Sequence, residues 1–187
     1  MGKDAPKDNA IARRALLRMG GGVIAAGLLS YPAIAARPRH SERSLSLEHL
    51  HTGEKIKRVY WADGRYVHAS LHDIHHILRD YRTGEIKPID VRLLDLLHDL
   101  HKVTGSRKPF EIISGYRSKL TNAMLAETTD GVARHSFHVR GMAVDIRLPD
   151  RNLRKLKVAA LHLGRGGVGY YPDSDFVHVD VGPKRFW

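Results

Sequence analysis

From Ser44 to His51 polar and apolar residues alternate (Ser44-Leu45-Ser46-Leu47-Glu48-His49-Leu50-His51), and Thr52-Gly53-Glu54 interrupts before Lys55 to Trp61. A period of two turns one side of an extended chain toward a core, and a short Gly-containing break joins two such runs, so this segment predicts a β-hairpin. The period then changes. Ser70 is positioned to cap a helix running through about Tyr81, with Gly84 ending it. Pro88 opens a second helix in which Ile89, Leu93, Leu96, Leu97 and Leu100 form an apolar stripe, and Gly105 closes it. Phe110 to Ser114 predicts a strand leading to a turn at Gly115, followed by a helix from about Lys119 to Glu127. Thr128 to Phe137 is polar and irregular and predicts a loop on the functional face. Met142 to Leu148 predicts a strand, Arg151 to Leu163 a helix, Gly164 to Gly169 a glycine-rich connection, and Phe176 to Val181 the last strand. Strands and helices without regular alternation predict an α+β domain, a small antiparallel sheet flanked by helices.

The 187 residues suit one domain with a core, and 42% apolar with 27% charged residues excludes a disordered chain. There is no cysteine. A disulfide framework, a thiol nucleophile and Cys-ligated zinc are therefore excluded, so a metal would have to be held by His, Asp and Glu. Of the thirteen histidines, His72, His75, His76, His98 and His101 fall in helical patterns and read as scaffold. The net charge of +11 divides unevenly. The first 35 residues hold Lys3, Lys7, Arg13, Arg14 and Arg18 against Asp4 and Asp8, which leaves +8 on the remainder. Such a surface attracts polyanions.

The N-terminus narrows the choice. Arg13-Arg14 precedes an uncharged stretch from Met19 to Ala36 with four glycines, closing on Pro32-Ala33-Ile34-Ala35-Ala36. This resembles a twin-arginine export signal with an Ala-x-Ala cleavage site. About eighteen uncharged residues would also just span a bilayer as an anchor, but the glycines and the cleavage pattern favour removal. The expected organisation is a signal peptide over 1–36, a loose linker over 37–43 and a folded domain over 44–187. A periplasmic protein is expected, a monomer touching the membrane only during export. Export argues against nucleic acid as the partner of the basic surface.

Three motifs carry candidate chemistry. In Ser136-x-His138-x-x-Gly141-x-Ala143-x-Asp145, His138 lies in a loop and Asp145 on a strand, and the two can share a metal if the chain doubles back at Gly141. A carboxylate in so apolar a strand needs a partner, which a cation supplies. In Asp175-x-x-His178-x-Asp180, His178 and Asp180 share one face of a strand, roughly 7 Å apart along it. His178 could bind a metal while Asp180 reaches an activated water or orients the imidazole. Two His and one Asp leave a fourth position open, as in catalytic zinc sites. Ser114-Gly115-Tyr116-Arg117-Ser118 presents Arg117 at a strand-to-helix turn, where a guanidinium can grip a substrate carboxylate through two hydrogen bonds.

These motifs, with Gly166-Gly167-Val168-Gly169-Tyr170-Tyr171-Pro172 and the Arg185-Phe186-Trp187 end, resemble the zinc peptidases of the lysostaphin, D-Ala-D-Ala metallopeptidase and sonic hedgehog superfamily. Within it the chain is most similar to the murein endopeptidase K group, from about Leu45 to Trp187. The resemblance implies a hedgehog-like fold, Zn2+ held by His138, Asp145 and His178, and hydrolysis of peptide cross-links in peptidoglycan. Arg117 would bind substrate, and His135 would either support the oxyanion or lie on the surface. The general base stays open between Asp180 and Asp175. Many relatives have His-x-His where this chain has His178-x-Asp180, so Asp180 could also stand in for a ligand. A D-Ala-D-Ala carboxypeptidase or dipeptidase, or a non-hydrolytic zinc module that binds peptidoglycan, is compatible with the same motifs.

Overall fold

The computed structural model describes residues 41–129, 133 and 135–187. The expected signal peptide, residues 37–40 of the linker and part of the 128–137 loop lie outside the described residues. Strand β1 (Arg43–His49) and strand β2 (Lys55–Ala62) form the expected antiparallel hairpin. Asp63 and Gly64, both at positive φ (54° and 79°), turn the chain again into β3 (Arg65–Tyr66). Two consecutive left-handed residues match the right-handed twist of the flanking strands.

Helix α1 spans His68–Ile77 and starts earlier than expected; its N-cap is Val67, which makes no side-chain cap, and Ser70 is buried inside the helix. It ends before Tyr81 because the Asp80 carboxylate takes the following amides, Arg82 N at 2.9 Å and Thr83 N at 3.4 Å. Helix α2 (Val91–Thr104) is capped by the Asp90 side chain on Arg92 N and closed by Gly105 at φ 62°. Strand β4 (Phe110–Ser114), helix α3 (Lys119–Thr128), a 3-10 turn (Phe137–Arg140), strand β5 (Ala143–Arg147), helix α4 (Leu153–Leu163), and strands β6 (Gly167–Tyr171), β7 (Phe176–Asp180) and β8 (Arg185–Phe186) complete the order.

The architecture is α+β, but the sheet is neither small nor purely antiparallel. Eight strands run in the order β3-β2-β1-β4-β5-β7-β6-β8, with β1 parallel to β4 and β6 parallel to β8. The glycine-rich segment read as a connection is strand β6. A Cβ on Gly169 would lie 2.7 Å from the Trp187 ring and one on Gly167 2.5 Å from Asp180 Oδ2. These glycines let neighbours close onto the strand.

Helix α1 packs on β2, α2 on β1 and α4, and α4 on β6 and β7. Leu45, Leu47, Ile112, Val144, Ile146, Val177 and Val179 from the strands join Leu93, Leu97, Leu100 and Leu156 from the helices in a single core. Each such side chain contributes about 1.5–3 kcal/mol on burial. Asp145 and His178, at alternate positions on their strands, are thereby turned away from this core, and a register shift between Ile112 and Ser114 sets Ser114 beside Asp145. Among the described residues no helix is long and apolar enough to cross a membrane.

Candidate metal centre

Strand pairing brings the two distant motifs together. Antiparallel pairing of β5 with β7 sets Asp145 opposite His178, and β4 sets Ser114 opposite Asp145. His138 arrives from the 3-10 turn, whose N-cap Ser136 accepts from His138 N. Gly141 then reverses the chain at φ 67°, with its carbonyl accepting from Asp90 N at 2.9 Å. A Cβ at Gly141 would lie 2.6 Å from Pro88 O, so this position requires glycine for both conformation and space.

His138, Asp145 and His178 are buried and present their donor atoms to one another. His138 Nε2 lies 3.2 Å from Asp145 Oδ1 and 3.2 Å from His178 Nδ1, and His178 Nδ1 lies 2.9 Å from the same Oδ1. The outer partners fix what these atoms are. His138 Nδ1 is 2.7 Å from the carbonyl of Gly115, which can only accept, so Nδ1 carries hydrogen and Nε2 offers a lone pair. His178 Nε2 is 3.1 Å from Asp180 Oδ2, which assigns it the hydrogen and leaves Nδ1 as a lone pair. Three electron-rich atoms thus face one point, an arrangement that repels itself unless a cation or an added proton sits between them. Donors bound to a tetrahedral zinc at about 2.0–2.2 Å stand about 3.3 Å apart, close to the observed triangle. The residues fit a metal.

With no cation between them, the protonation equilibria favour the added proton, on His178. Burial lowers the pKa of His138, keeping it neutral. Burial also opposes charge on His178, but the Asp145 and Asp180 carboxylates overcome this and raise its pKa. Asp145, although burial works against its ionisation, is held well below the usual carboxylate range by His138 and His178. Its other oxygen, Oδ2, accepts from Arg117 Nη2 at 2.7 Å.

The remaining expected site residues divide. Asp180 is fully buried behind His178. It accepts from Gly167 N at 3.0 Å, Gly182 N at 2.8 Å and Arg185 Nη2 at 2.6 Å. Although burial alone would raise its pKa, the His178 hydrogen bond and those backbone amides lower it to about 2. Asp175 does not join the cluster; at φ 53° its carboxylate points to Arg147 Nη1 at 2.6 Å and its side chain is 62% exposed. Arg117 spans Asp145 and Ser114 Oγ, and its backbone N–H donates to His138 O at 3.3 Å. Exposed His135 lines the cleft that opens over the three donors, a space of about 630 Å³ in which Asp145 is the sole carboxylate side chain among the described residues.

Two contributors had no role in the sequence reading. Arg185 neutralises Asp180 and stacks over Phe137 and Trp187, at 4.8 and 4.9 Å. Trp187 stands 5.3 Å from the His178 ring and donates to Tyr171 OH at 2.7 Å. Their only signal was membership of the Arg185-Phe186-Trp187 end, and nothing in local spacing joins it to His178.

A buried His-Asp-His triangle on the inner strands of an α+β sheet, at the floor of an open cleft, defines the centre of a metal-dependent hydrolase. The chain belongs to the family described as peptidoglycan L,D-endopeptidase MepK, whose profile matches residues 37–187. It is 46% identical over 176 residues to the Escherichia coli (strain K12) protein named peptidoglycan L,D-endopeptidase MepK, covering 94% of this chain and 96% of that one. It is 35% identical over 176 residues to the Haemophilus influenzae protein named probable peptidoglycan L,D-endopeptidase MepK, covering 94% and 95%.

Proposed function

We propose that this protein is a zinc-dependent endopeptidase that hydrolyses an L,D amide in the peptide cross-links of peptidoglycan, with His138, Asp145 and His178 holding the metal. The observation that carries the reading is the convergence of two imidazole lone pairs and a carboxylate oxygen within 3.2 Å of one another, each imidazole fixed in its tautomer by a partner on its far side. When bound, zinc supplies Lewis acidity that activates water and polarises the scissile carbonyl.

The protein's own groups divide the rest of the work. Gly115 O orients His138 and Asp180 orients His178. Arg117 holds Oδ2 of Asp145 and so leaves Oδ1 for the metal. Asp180 is an orienting residue in this reading, because both its oxygens are occupied and it lies on the side of the His178 ring away from Asp145. Asp175 serves a surface ion pair. With zinc bound, the proton of the attacking water would be carried to the leaving amine by a group of the cleft itself, where His51 and His135 are the imidazoles outside the donor set. Export by the twin-arginine route would deliver the enzyme to its polymer, and Arg13→Lys with Arg14→Lys should leave precursor in the cytoplasm on fractionation.

Digestion of purified sacculi by the zinc-loaded protein, with products identified by mass, tests the activity. Cross-linked dimers should fall to monomers carrying a new free amine. Release of terminal D-Ala alone would make the enzyme a carboxypeptidase, and unchanged sacculi would contradict the proposal.

A further inference from the structure

Three guanidinium groups line the cleft, those of Arg82, Arg117 and Arg185. Two are committed within the protein: Arg117 to Asp145 Oδ2 at 2.7 Å and Arg185 to Asp180 Oδ2 at 2.6 Å. Arg82 has no carboxylate partner among the described residues. Its guanidinium carbon lies 4.3 Å from the centre of the Tyr81 ring, which in turn stacks on His51 at 4.1 Å with the planes 12° apart. Arg82, Tyr81 and His51 form one stack along the cleft wall.

That wall is fixed by the backbone. Asp80, buried between α1 and α3, accepts from Arg82 N at 2.9 Å and from Ser118 N at 2.8 Å. Gly84 N donates to Asp80 O at 2.7 Å, Asp80 N to Glu85 O at 3.0 Å, and Tyr116 N to Leu78 O at 2.8 Å. The turn carrying Arg82 is thereby tied to the segment carrying Arg117, and through Arg117 to Asp145. The bonds that hold the turn use the backbone of Arg82, which leaves its side chain uncommitted.

We propose that Arg82, and not Arg117, recognises a free carboxylate of the peptide substrate. The inference rests on the peptidase reading and specifies what that cleft selects. A guanidinium stacked on an aromatic ring keeps its N–H edge available in a fixed plane, and a carboxylate matches that edge with two charge-assisted hydrogen bonds. Asp145, the sole carboxylate side chain lining the cleft among the described residues, is already engaged by Arg117. Cross-linked stem peptides carry free carboxylates beside their amide links, so a single unpaired cation at fixed placement suffices to orient the chain across the donors.

The test compares a purified cross-linked muropeptide dimer with the same dimer amidated at its free carboxyl groups, both cleaved by the zinc-loaded full chain. The parent enzyme should prefer the carboxylate form at least ~10-fold in kcat/KM, the effect of one charge-assisted hydrogen bond. Arg82→Gln should lose that preference through KM, with kcat within ~3-fold and zinc content unchanged, and Arg82→Lys should recover part of it. Arg82→Gln retaining the full preference, or a parent enzyme with none, overturns the assignment while leaving the peptidase reading in place. A parent enzyme that cleaves neither dimer overturns both.

Discussion

Two polar clusters sit two residues apart along β5, and their difference separates a site from a surface. Around Arg147, Glu111 and Asp175 supply opposite charges, and the three side chains are partly exposed. Both carboxylates are paired with the one guanidinium at the surface, and such pairs contribute about 0–1 kcal/mol each. Around Asp145 the charge is inside, and the neighbours that could neutralise it present lone pairs. Arg117 satisfies one oxygen, while the other faces two imidazole nitrogens whose hydrogens are committed elsewhere. Both clusters are rich in titratable groups. Only the second is complementary to something absent from the amino-acid sequence, and that marks it as the centre.

Removing a donor should produce the largest difference between the clusters. His138→Ala should lower cross-link hydrolysis by at least ~10³-fold, because two remaining ligands do not hold a catalytic zinc. Arg147→Ala should stay within ~2-fold in the same assay. Comparable losses in both would erase the distinction. Next in size is Gly141→Ala, which forces a side chain into the left-handed region and against Pro88 O. It should destabilise the fold by at least ~1–2 kcal/mol and weaken zinc retention, read as a lower Tm and faster loss to chelator.

The orienting residues give a smaller effect with a sharper reading. Asp180→Asn should lower zinc affinity ~10–100-fold, the usual effect of losing a ligand's outer partner, with turnover at saturating zinc much less affected. Asp175→Asn should change both by less than ~2-fold. Full zinc affinity with turnover abolished in Asp180→Asn would make Asp180 the proton acceptor after all.

A separate effect, on stability rather than on zinc or turnover, lies outside both clusters. His49 is buried, and burial, then the charges of His51 and Arg79, lower its pKa from 6.5 to about 4; its Nε2 has no hydrogen-bond partner among the described residues. As pH falls, the unfolded chain binds this proton before the folded one does. Stability of the metal-free protein should therefore decline from about pH 6.5 to about pH 4, by ~1–3 kcal/mol for this group. Denaturant titration of His49→Gln should show a shallower decline, and an unchanged slope would remove His49 from the account.

Much of this was legible because local pattern and tertiary demand coincide. The alternation through Leu45 and Leu47, the stripe from Leu93 to Leu100, and the Gly141 reversal between His138 and Asp145 each have a local physical cause. What failed to show depends on distant partners. Strands β3 and β8 are two residues each, too short for any period. Strand β6 reads as a loop because its glycines are explained by Trp187 and Asp180, which lie far along the sequence. Ser70 reads as a cap because its burial depends on the packing of α1 against β2. The bearings of Asp175 and Asp180 were equally hidden, since strand parity puts Asp180 on the face of His178 without saying which ring nitrogen it meets.

Zinc per chain in the purified full-length protein and in its Asp145→Ala and Asp175→Ala variants tests the central claim most directly. The account predicts close to one zinc in the parent and in Asp175→Ala, and almost none in Asp145→Ala with its far-UV circular dichroism unchanged. Full occupancy in a folded Asp145→Ala protein would contradict it.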